Sequence, residues 1–277
     1  MRISRITLMT EMNMRKIFTI AAGLVMMTAC AQKPQKAVPV TESTTITWIK
    51  DKPGPTLQPH KLYPDVPDSL WNALGLQNGV PASINCFLLQ TEGKNILLDT
   101  GLGAPVSQLL PKLKEQGLSP EDIGLIYLSH LHYDHIGGLL KDGAVTFPNA
   151  ELYINRVEAE AWLAMNDDNS KLAKEVLKAY KKHLHLFEAG DTLQGGVRTI
   201  AAYGHTPGHT LFQKDSILVI ADLIHGAALQ LKHPEYCPTY DMDPKAARES
   251  RIRILKYAKD NHLTMYGMHL PDPGMVK

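Results

Sequence analysis

The sequence lacks several features that would place it in common classes of protein. It has only three cysteines, none in a CxxC or similar spacing, so a thiolate metal site is not indicated. Its formal net charge is +1, with basic and acidic residues nearly balanced, so the charge excess typical of nucleic-acid-binding proteins is missing. No GxSxG motif occurs, so a serine nucleophile of that kind is not expected.

The apolar run near the N terminus, Ile17–Met27, is too short to span a bilayer. It follows Arg15 and Lys16 and precedes small residues and Cys30, which is the layout of a secretory signal. The segment resembles a bacterial lipoprotein signal, in which the cysteine is lipidated and becomes the mature N terminus. We therefore predict a signal peptide over residues 1–30 and an exported, periplasmic protein anchored at the outer membrane. A buried N-terminal helix is the alternative.

The rest of the chain is predicted to form a tether and one globular domain. Residues 31–60 contain five prolines and predict a tether followed by an irregular or edge-strand segment. Residues 61–277 are long enough for one well-buried domain. Within it, residues 63–81 predict a short helix or loop over a pocket. Cys86 and Cys237 either pair or stay free.

Apolar runs of strand length alternate with segments of helical spacing, which favours a layered α/β fold over a strictly parallel sheet. Pro244–Asp260 predicts a long amphipathic helix with Ala247, Ile252, Leu255 and Ala258 on its inner side. The predicted strands include 83–90, 95–99, 123–129, 151–155, 197–202, 210–212, 217–221 and 263–267. Further helices are predicted over 106–116, 157–165 and 171–183.

The segment Ser129–Gly138, with the sequence SHLHYDHIGG, concentrates metal-ligating side chains directly after a predicted strand. Its four candidate ligands, His130, His132, Asp134 and His135, fall within six residues. Imidazole and carboxylate groups are good ligands for zinc and similar cations. In a loop at a strand end, the first two histidines can share one metal while the aspartate and third histidine face another. The segment therefore predicts a metal site.

This HxHxDH segment resembles the signature of the metallo-β-lactamase superfamily, and the family's other motifs follow in order. Asp99, in LDTG, matches a strand-end aspartate that supports the ligand loop. His205 opens the matching GHTPGHT motif, Asp222 matches the strand-end aspartate that bridges both metals, and His269 matches the last strand-end histidine. The resemblance covers roughly residues 80 to 275 and implies a four-layer αββα sandwich.

The resemblance also implies a dinuclear centre with two zinc ions per chain, although manganese, iron or cobalt would tolerate similar ligands. The implied ligands are His130, His132 and His205 for one ion, Asp134, His135 and His269 for the other, and Asp222 as the bridge. His132 stands where the diiron branch carries glutamate, which favours hydrolysis. Asp222 stands where the familiar β-lactam-cleaving branch carries cysteine. No long insertion follows Asp222, as nucleic-acid-processing members would require.

The residues around the site resemble those of methyl-parathion-hydrolase-like and lactonase-like members. We therefore expect a hydrolase that uses a metal-bridging hydroxide to cleave a small ester, lactone or phosphotriester. The alternatives are a β-lactam-cleaving enzyme and a tethered metal-binding protein without turnover.

We also predict roles for several further side chains near the motifs. Asp134 is a candidate proton shuttle. His225 either faces the substrate or is a satisfied polar residue at the pocket wall. His209 is expected to form hydrogen bonds rather than bind metal. Asp241 and Asp243 are expected to be turn residues or helix N-caps before Pro244.

Overall fold

A computed structural model describes residues 43–277. The predicted signal peptide, Cys30 and the first part of the tether lie outside these residues and stay predictions, which mass spectrometry of the mature N terminus would test. An unprocessed N terminus would contradict them. Within residues 43–277, no helix is long and apolar enough to cross a membrane.

The described residues form sixteen strands and seven α-helices. The strands are β1 (Thr45–Lys50), β2 (Thr56–Gln58), β3 (Val80–Ala82), β4 (Asn85–Thr91), β5 (Lys94–Leu98), β6 (Leu125–Tyr127), β7 (Leu140–Lys141), β8 (Ala144–Val145), β9 (Glu151–Asn155), β10 (Leu184–Phe187), β11 (Thr192–Leu193), β12 (Val197–Ala201), β13 (Thr210–Lys214), β14 (Ile217–Ala221), β15 (Thr264–Gly267) and β16 (Met275–Val276). The helices are α1 (Asp68–Ala73), α2 (Leu109–Glu115), α3 (Tyr133–Ile136), α4 (Arg156–Ala164), α5 (Ser170–Ala179), α6 (Ala227–Gln230) and α7 (Pro244–Asp260).

Two six-stranded sheets form the centre of the fold. The first has the order β1-β4-β5-β6-β9-β10, with antiparallel pairs at the β1 side and parallel pairs from β5 to β10. The second has the order β11-β12-β13-β14-β15-β16, in which only β14 and β15 are parallel. The strands predicted over 151–155 and 217–221 and the helix predicted over 244–260 have the predicted bounds.

Central strands of both sheets, such as β4 and β14, bury both of their faces, which creates four layers. In β4, Phe87 and Leu89 point into the core between the sheets, whereas Cys86 and Leu88 point into the core beneath helices α2, α4 and α5. The second sheet repeats this arrangement, with α7 covering its outer face. Since successive strand residues face opposite sides, each sheet contacts the other sheet on one face and helices on the other. The predicted αββα sandwich is confirmed.

The folded domain begins earlier than residue 61. Strand β1 pairs with β4 along its whole length and forms the edge of the first sheet. The side chain of Asp51, fully buried at the end of β1, accepts hydrogen bonds from the backbone N–H groups of Leu102 and Leu109. Strand β1 is thus an edge strand within residues 31–60, which is one of the two possibilities expected for that segment. Cys86 and Cys237 are both free thiols.

The segment over residues 63–81 contains the expected short helix, α1, but does not itself line the pocket. Its apolar side chains, including Trp71 and Val80, pack with Leu229 from the α6 segment. The residues that face the pocket, such as Gln58 and Ile84, flank this segment on either side. The segment therefore supports the pocket wall from behind.

The inner face of α7 also differs from the expected one. Ile252 is 48% exposed, whereas Arg251 is buried. The Arg251 guanidinium donates hydrogen bonds to the backbone carbonyls of Leu223, Pro234 and Tyr236 and to the Asp241 carboxylate. Because these acceptors compensate its donors, Arg251 can lie at the centre of the buried face of α7. The next residue, Ile252, then points towards solvent.

Candidate metal centre

The predicted ligands converge at one edge of the sandwich. The loop after β6 carries the HxHxDH segment, and the loop between β12 and β13 carries His205. Asp222 follows β14 directly, and His269 lies two residues after β15. The parallel strands β5 and β6, and likewise β14 and β15, end at the same edge of their sheets, where functional side chains of α/β folds commonly gather.

Three histidine nitrogens form a triangle on one side of this edge. His130 Nε2 and His132 Nδ1 are 2.9 Å apart, His132 Nδ1 and His205 Nε2 are 2.9 Å apart, and the third side measures 3.2 Å. Zn–N bonds of 2.0–2.1 Å in a tetrahedral site place two nitrogens about 3.3 Å apart. The triangle therefore has the size and the donors of a three-histidine zinc site.

A second cluster consists of Asp134, His135 and His269. The His269 Nε2 atom lies 3.5 Å from Asp134 Oδ2, and His135 Nε2 lies 3.8 Å from Asp134 Oδ1. Potential ligand atoms of all three residues lie within 4.8 Å of one another. This set can hold a second cation.

Asp222 lies between the two clusters. Its Oδ2 is 3.3 Å from His205 Nε2 and 3.0 Å from His269 Nε2, and its Oδ1 is 3.1 Å from His135 Nε2. One carboxylate thus contacts ligands of both clusters, as the bridging role requires. Its position is fixed from behind, because the Asp222 backbone N–H donates to His209 Nε2.

Unsatisfied polar atoms support metal binding. His135 Nε2 and Asp222 Oδ1 are buried but form no hydrogen bond. Buried polar atoms without partners cost about 1–3 kcal/mol each, and a cation between them would remove that cost. Nitrogen-rich ligand sets with carboxylates suit divalent transition metals better than magnesium or calcium. The structure brings all seven predicted ligands together in a site suited to a divalent metal.

The electrostatics of the cluster favour positive charge. Burial lowers the pKa of His135, but the surrounding carboxylates, Asp222 foremost, outweigh it and raise that pKa well above 6.5. Burial likewise opposes ionisation of His205, yet hydrogen bonds to Asp222 and Asp241 raise its pKa to about 9. For His132, burial and the neighbouring His205 act together and lower the pKa to about 3. The negative potential of these carboxylates, which favours protons on His135 and His205, would also favour a bound divalent cation.

Other side chains orient the ligands. Asp99 Oδ2 lies 2.7 Å from His135 Nδ1 and also accepts a hydrogen bond from the Ser129 hydroxyl, so the predicted support of the ligand loop has a direct contact. His209 Nδ1 lies 3.0 Å from the Ala202 carbonyl oxygen, which gives this residue the predicted hydrogen-bonding role. Such contacts fix the ring orientation and tautomer of a metal-binding histidine.

Asp241 closes a turn, as expected, because its backbone N–H donates a hydrogen bond to the Pro238 carbonyl. The sequence did not predict the role of its side chain. That side chain is buried, and its Oδ1 lies 3.0 Å from His205 Nδ1 while its Oδ2 accepts a hydrogen bond from Arg251, so it orients a ligand. Asp243 is the N-cap of α7, as expected, and accepts a hydrogen bond from the Ala246 N–H. Sequence reasoning also missed Glu158, a fully buried carboxylate beside the ligand loops.

His225 faces the site and is not satisfied by the protein. Its ring stacks on that of His269, with centroids 5.0 Å apart, and its Nε2 lies 3.2 Å from Asp222 Oδ2. Neither ring nitrogen forms a hydrogen bond, although the side chain is fully buried. Burial lowers its pKa to about 4, so the ring is neutral at pH 7. His225 therefore lines the cavity with both ring nitrogens free of hydrogen bonds, which does not match the satisfied wall residue of the second alternative.

Members of both clusters line a cavity of about 760 Å³, namely His132 and His205 of the first and Asp134 and His269 of the second. One wall carries the apolar side chains of Trp162, Met165 and Leu172 from α4, α5 and their connection, and the same connection adds the polar residues Asp167, Asp168 and Asn169 to the lining. Tyr133 and Met242 line the cavity while being 58% and 50% exposed, which places large apolar side chains at its rim. The volume suits a small molecule, and the wall suits an apolar substituent.

The comparisons with known proteins agree with this geometry. Residues 79–269, which are more than half of the chain, match the Metallo-beta-lactamase superfamily. The N-acyl homoserine lactonase AiiA of Bacillus thuringiensis subsp. kurstaki is 29% identical over 202 residues, covering 63% of this chain and 76% of the relative.

Two solved structures are similar over most of the domain. The dizinc quorum-quenching lactonase AidC, in complex with the product N-hexnoyl-L-homoserine, is 28% identical with a TM-score of 0.76, covering 84% of this chain and 91% of that chain. The hydrolase AbOPH of the beta lactamase superfamily is 30% identical with a TM-score of 0.75, covering 84% and 89%. The chain belongs to the metallo-β-lactamase superfamily and, as the sequence predicts, is a metal-dependent hydrolase.

Proposed function

We propose that this protein is a dizinc hydrolase that opens a small lactone or ester carrying an apolar chain. The observation that carries the proposal is the clustering of seven histidine and aspartate ligands, five of which line a cavity that is also lined by large apolar side chains. The similar proteins AiiA and AidC, both lactonases, support the choice of an N-acyl homoserine lactone as the leading substrate.

Two zinc ions, when bound, would supply a hydroxide nucleophile near neutral pH and would polarise the bond that is attacked. The residues of the chain perform the remaining tasks. The Asp134 carboxylate lines the cavity and is 24% exposed, so it would be placed to accept the proton of the attacking hydroxide and to pass it to the alkoxide that leaves when the ring C–O bond breaks. Trp162 and Leu172 hold the apolar chain and thereby orient the carbonyl group.

A substrate panel tests this proposal. Zinc-loaded protein is expected to hydrolyse N-acyl homoserine lactones, with kcat/KM rising up to about fourfold per added methylene, because each buried methylene contributes about 0.8 kcal/mol. The variant Leu172→Ala should flatten this dependence, whereas Leu163→Ala, at an exposed position on α4 outside the cavity, should not. Aryl esters, phosphotriesters and β-lactams complete the panel. Turnover of β-lactams alone, or of nothing, would contradict the proposal and favour one of the two alternatives.

We further propose that His225 donates a hydrogen bond from Nε2 to the carbonyl oxygen of the substrate as negative charge develops there. The variant His225→Ala is expected to lower kcat about 100-fold, as the loss of one such donor typically does, with a smaller change in KM. His225→Gln, which can place an amide N–H near the same point, should recover part of the loss. Metal content should stay at two ions. Unchanged kcat, or the loss of a metal ion, would contradict the role of donor.

A further inference from the structure

Glu158 is a buried carboxylate that the proposed reaction does not use. It lies in the first turn of α4, is fully buried, and forms no salt bridge within residues 43–277. Its Oε1 accepts hydrogen bonds from the Leu131 backbone N–H at 3.1 Å and the Trp162 indole at 2.6 Å. Its Oε2 accepts from the Thr206 hydroxyl at 2.8 Å and the Gly208 backbone N–H at 2.7 Å. Four donors therefore converge on one side chain.

Three of these four donors belong to the two loops that carry the three-histidine cluster, and the fourth, the Trp162 indole, is on α4 itself. Leu131 separates His130 from His132, and Thr206 directly follows His205. His132 and His205 are 73 residues apart in the chain, yet both of their loops are bound to the same carboxylate. The Glu158 side chain thus links two parts of one ligand set.

Close packing against α4 gives independent evidence for the same link. A Cβ atom added to Gly208 would lie 2.3 Å from the backbone nitrogen of Glu158 and 2.7 Å from its Cα, so the loop rests directly on the helix. The Trp162 ring, fixed by its bond to Glu158, meets His132 edge-on with centroids 5.4 Å apart. All three histidines of the cluster are therefore near residues that Glu158 holds.

The chemistry of the position calls for a carboxylate. An ionised carboxylate only accepts hydrogen bonds and has room for about four, whereas a glutamine in its place would turn an N–H₂ group towards one pair of donors. Burial raises the pKa of Glu158, and its hydrogen bonds act in the opposite direction. The positive end of the α4 dipole also favours a negative charge in this first turn.

We propose that Glu158 is a positioning residue that sets the distances among His130, His132 and His205 and so controls metal affinity at this site alone. The Asp134, His135 and His269 site has no contact with Glu158 among the described hydrogen bonds. The inference rests on the proposed two-metal centre. It predicts that replacing Glu158 weakens the binding of one of the two metal ions.

The test first uses variants that each retain only one of the two metal sites, and then replaces Glu158 in each of them. His269→Ala leaves the three-histidine site, and His205→Ala leaves the other site. Adding Glu158→Gln to the first background is expected to weaken zinc binding about 10- to 100-fold in competition with a chromophoric chelator, as loss of a ligand-orienting contact typically does. Adding it to the second background should change nothing. The cobalt form of the first background should show an altered visible spectrum.

Two further variants keep the test informative. Glu160→Gln changes an exposed glutamate on the same helix and should leave both affinities unchanged. Thr206→Val removes one donor to Glu158 without altering α4 and should weaken the same site by a smaller factor. Equal affinity with and without Glu158→Gln, or equal weakening of both sites, would overturn the inference. Failure of the unaltered protein to bind two metal ions would instead overturn the proposed function.

Discussion

Asp222→Asn is expected to lower kcat/KM by about 1,000-fold or more and to reduce the metal content below two ions per chain. Asparagine has nearly the same shape but carries no negative charge, and only one of its two terminal atoms can bind a cation. The Asp222 carboxylate contacts His205, His269 and His135, so its replacement affects both clusters at once. A loss of 1,000-fold corresponds to about 4 kcal/mol of transition-state stabilisation.

The turn before β14 offers a matched control for this variant. Asp215 is exposed at the turn between β13 and β14, where its φ of 52° is readily adopted by asparagine. Asp215→Asn should therefore retain full activity and two metal ions. If Asp222→Asn also keeps two ions and most of its activity, the bridging carboxylate has no part in the centre.

Removal of metal is expected to lower the melting temperature by about 10 °C or more. The ligands come from four loops that are far apart in the chain, and the ions crosslink them only in the folded state. A ligand at 1,000 times its dissociation constant stabilises a protein by about 4 kcal/mol, and each kcal/mol shifts the melting temperature of a domain this size by about 2–4 °C.

Thermal unfolding followed by circular dichroism, before and after exhaustive chelation, measures this shift. Zinc added back should restore the original melting temperature, whereas magnesium should not, because it binds nitrogen ligands poorly. An identical melting temperature for the chelated and zinc-loaded protein would show that the clustered side chains do not hold metal.

The metal site could be predicted because most of its chemistry is local in sequence. His130, His132 and His135 belong to one short motif, and their spacing alone indicates a common purpose. The apolar run before Asp222 predicts the end of a strand there, but the bridging role of Asp222 follows only from the resemblance to the family. His269 is likewise identified only through the order of the family motifs.

The residues that orient the ligands could not be predicted, because their contacts depend on how distant segments fold together. Asp241 lies two residues before a second aspartate and three before a proline, which is the local pattern of a turn. Its second role depends on the contact between its side chain and His205, which is 36 residues away in the chain. Glu158 has the helical spacing of an ordinary charged residue. Nothing in its own segment reveals the donors at Leu131 and Thr206.

Periodicity fails for a related reason at α7. Hydrophobic spacing assigns Ile252 to the buried face because arginine is usually exposed. The buried face instead contains Arg251, whose charge is compensated by Asp241 and by three backbone carbonyls. The pattern of α7 shows the arginine but not the distant carbonyl and carboxylate groups that accept its hydrogen bonds and so allow it to be buried.

The most direct measurement is X-ray diffraction from crystals of the zinc-loaded protein, with data collected on either side of the zinc absorption edge. We expect two anomalous peaks per chain, about 3.5–4 Å apart, with the Asp222 carboxylate between them. A single peak, or peaks away from the histidine clusters, would contradict the two-metal centre.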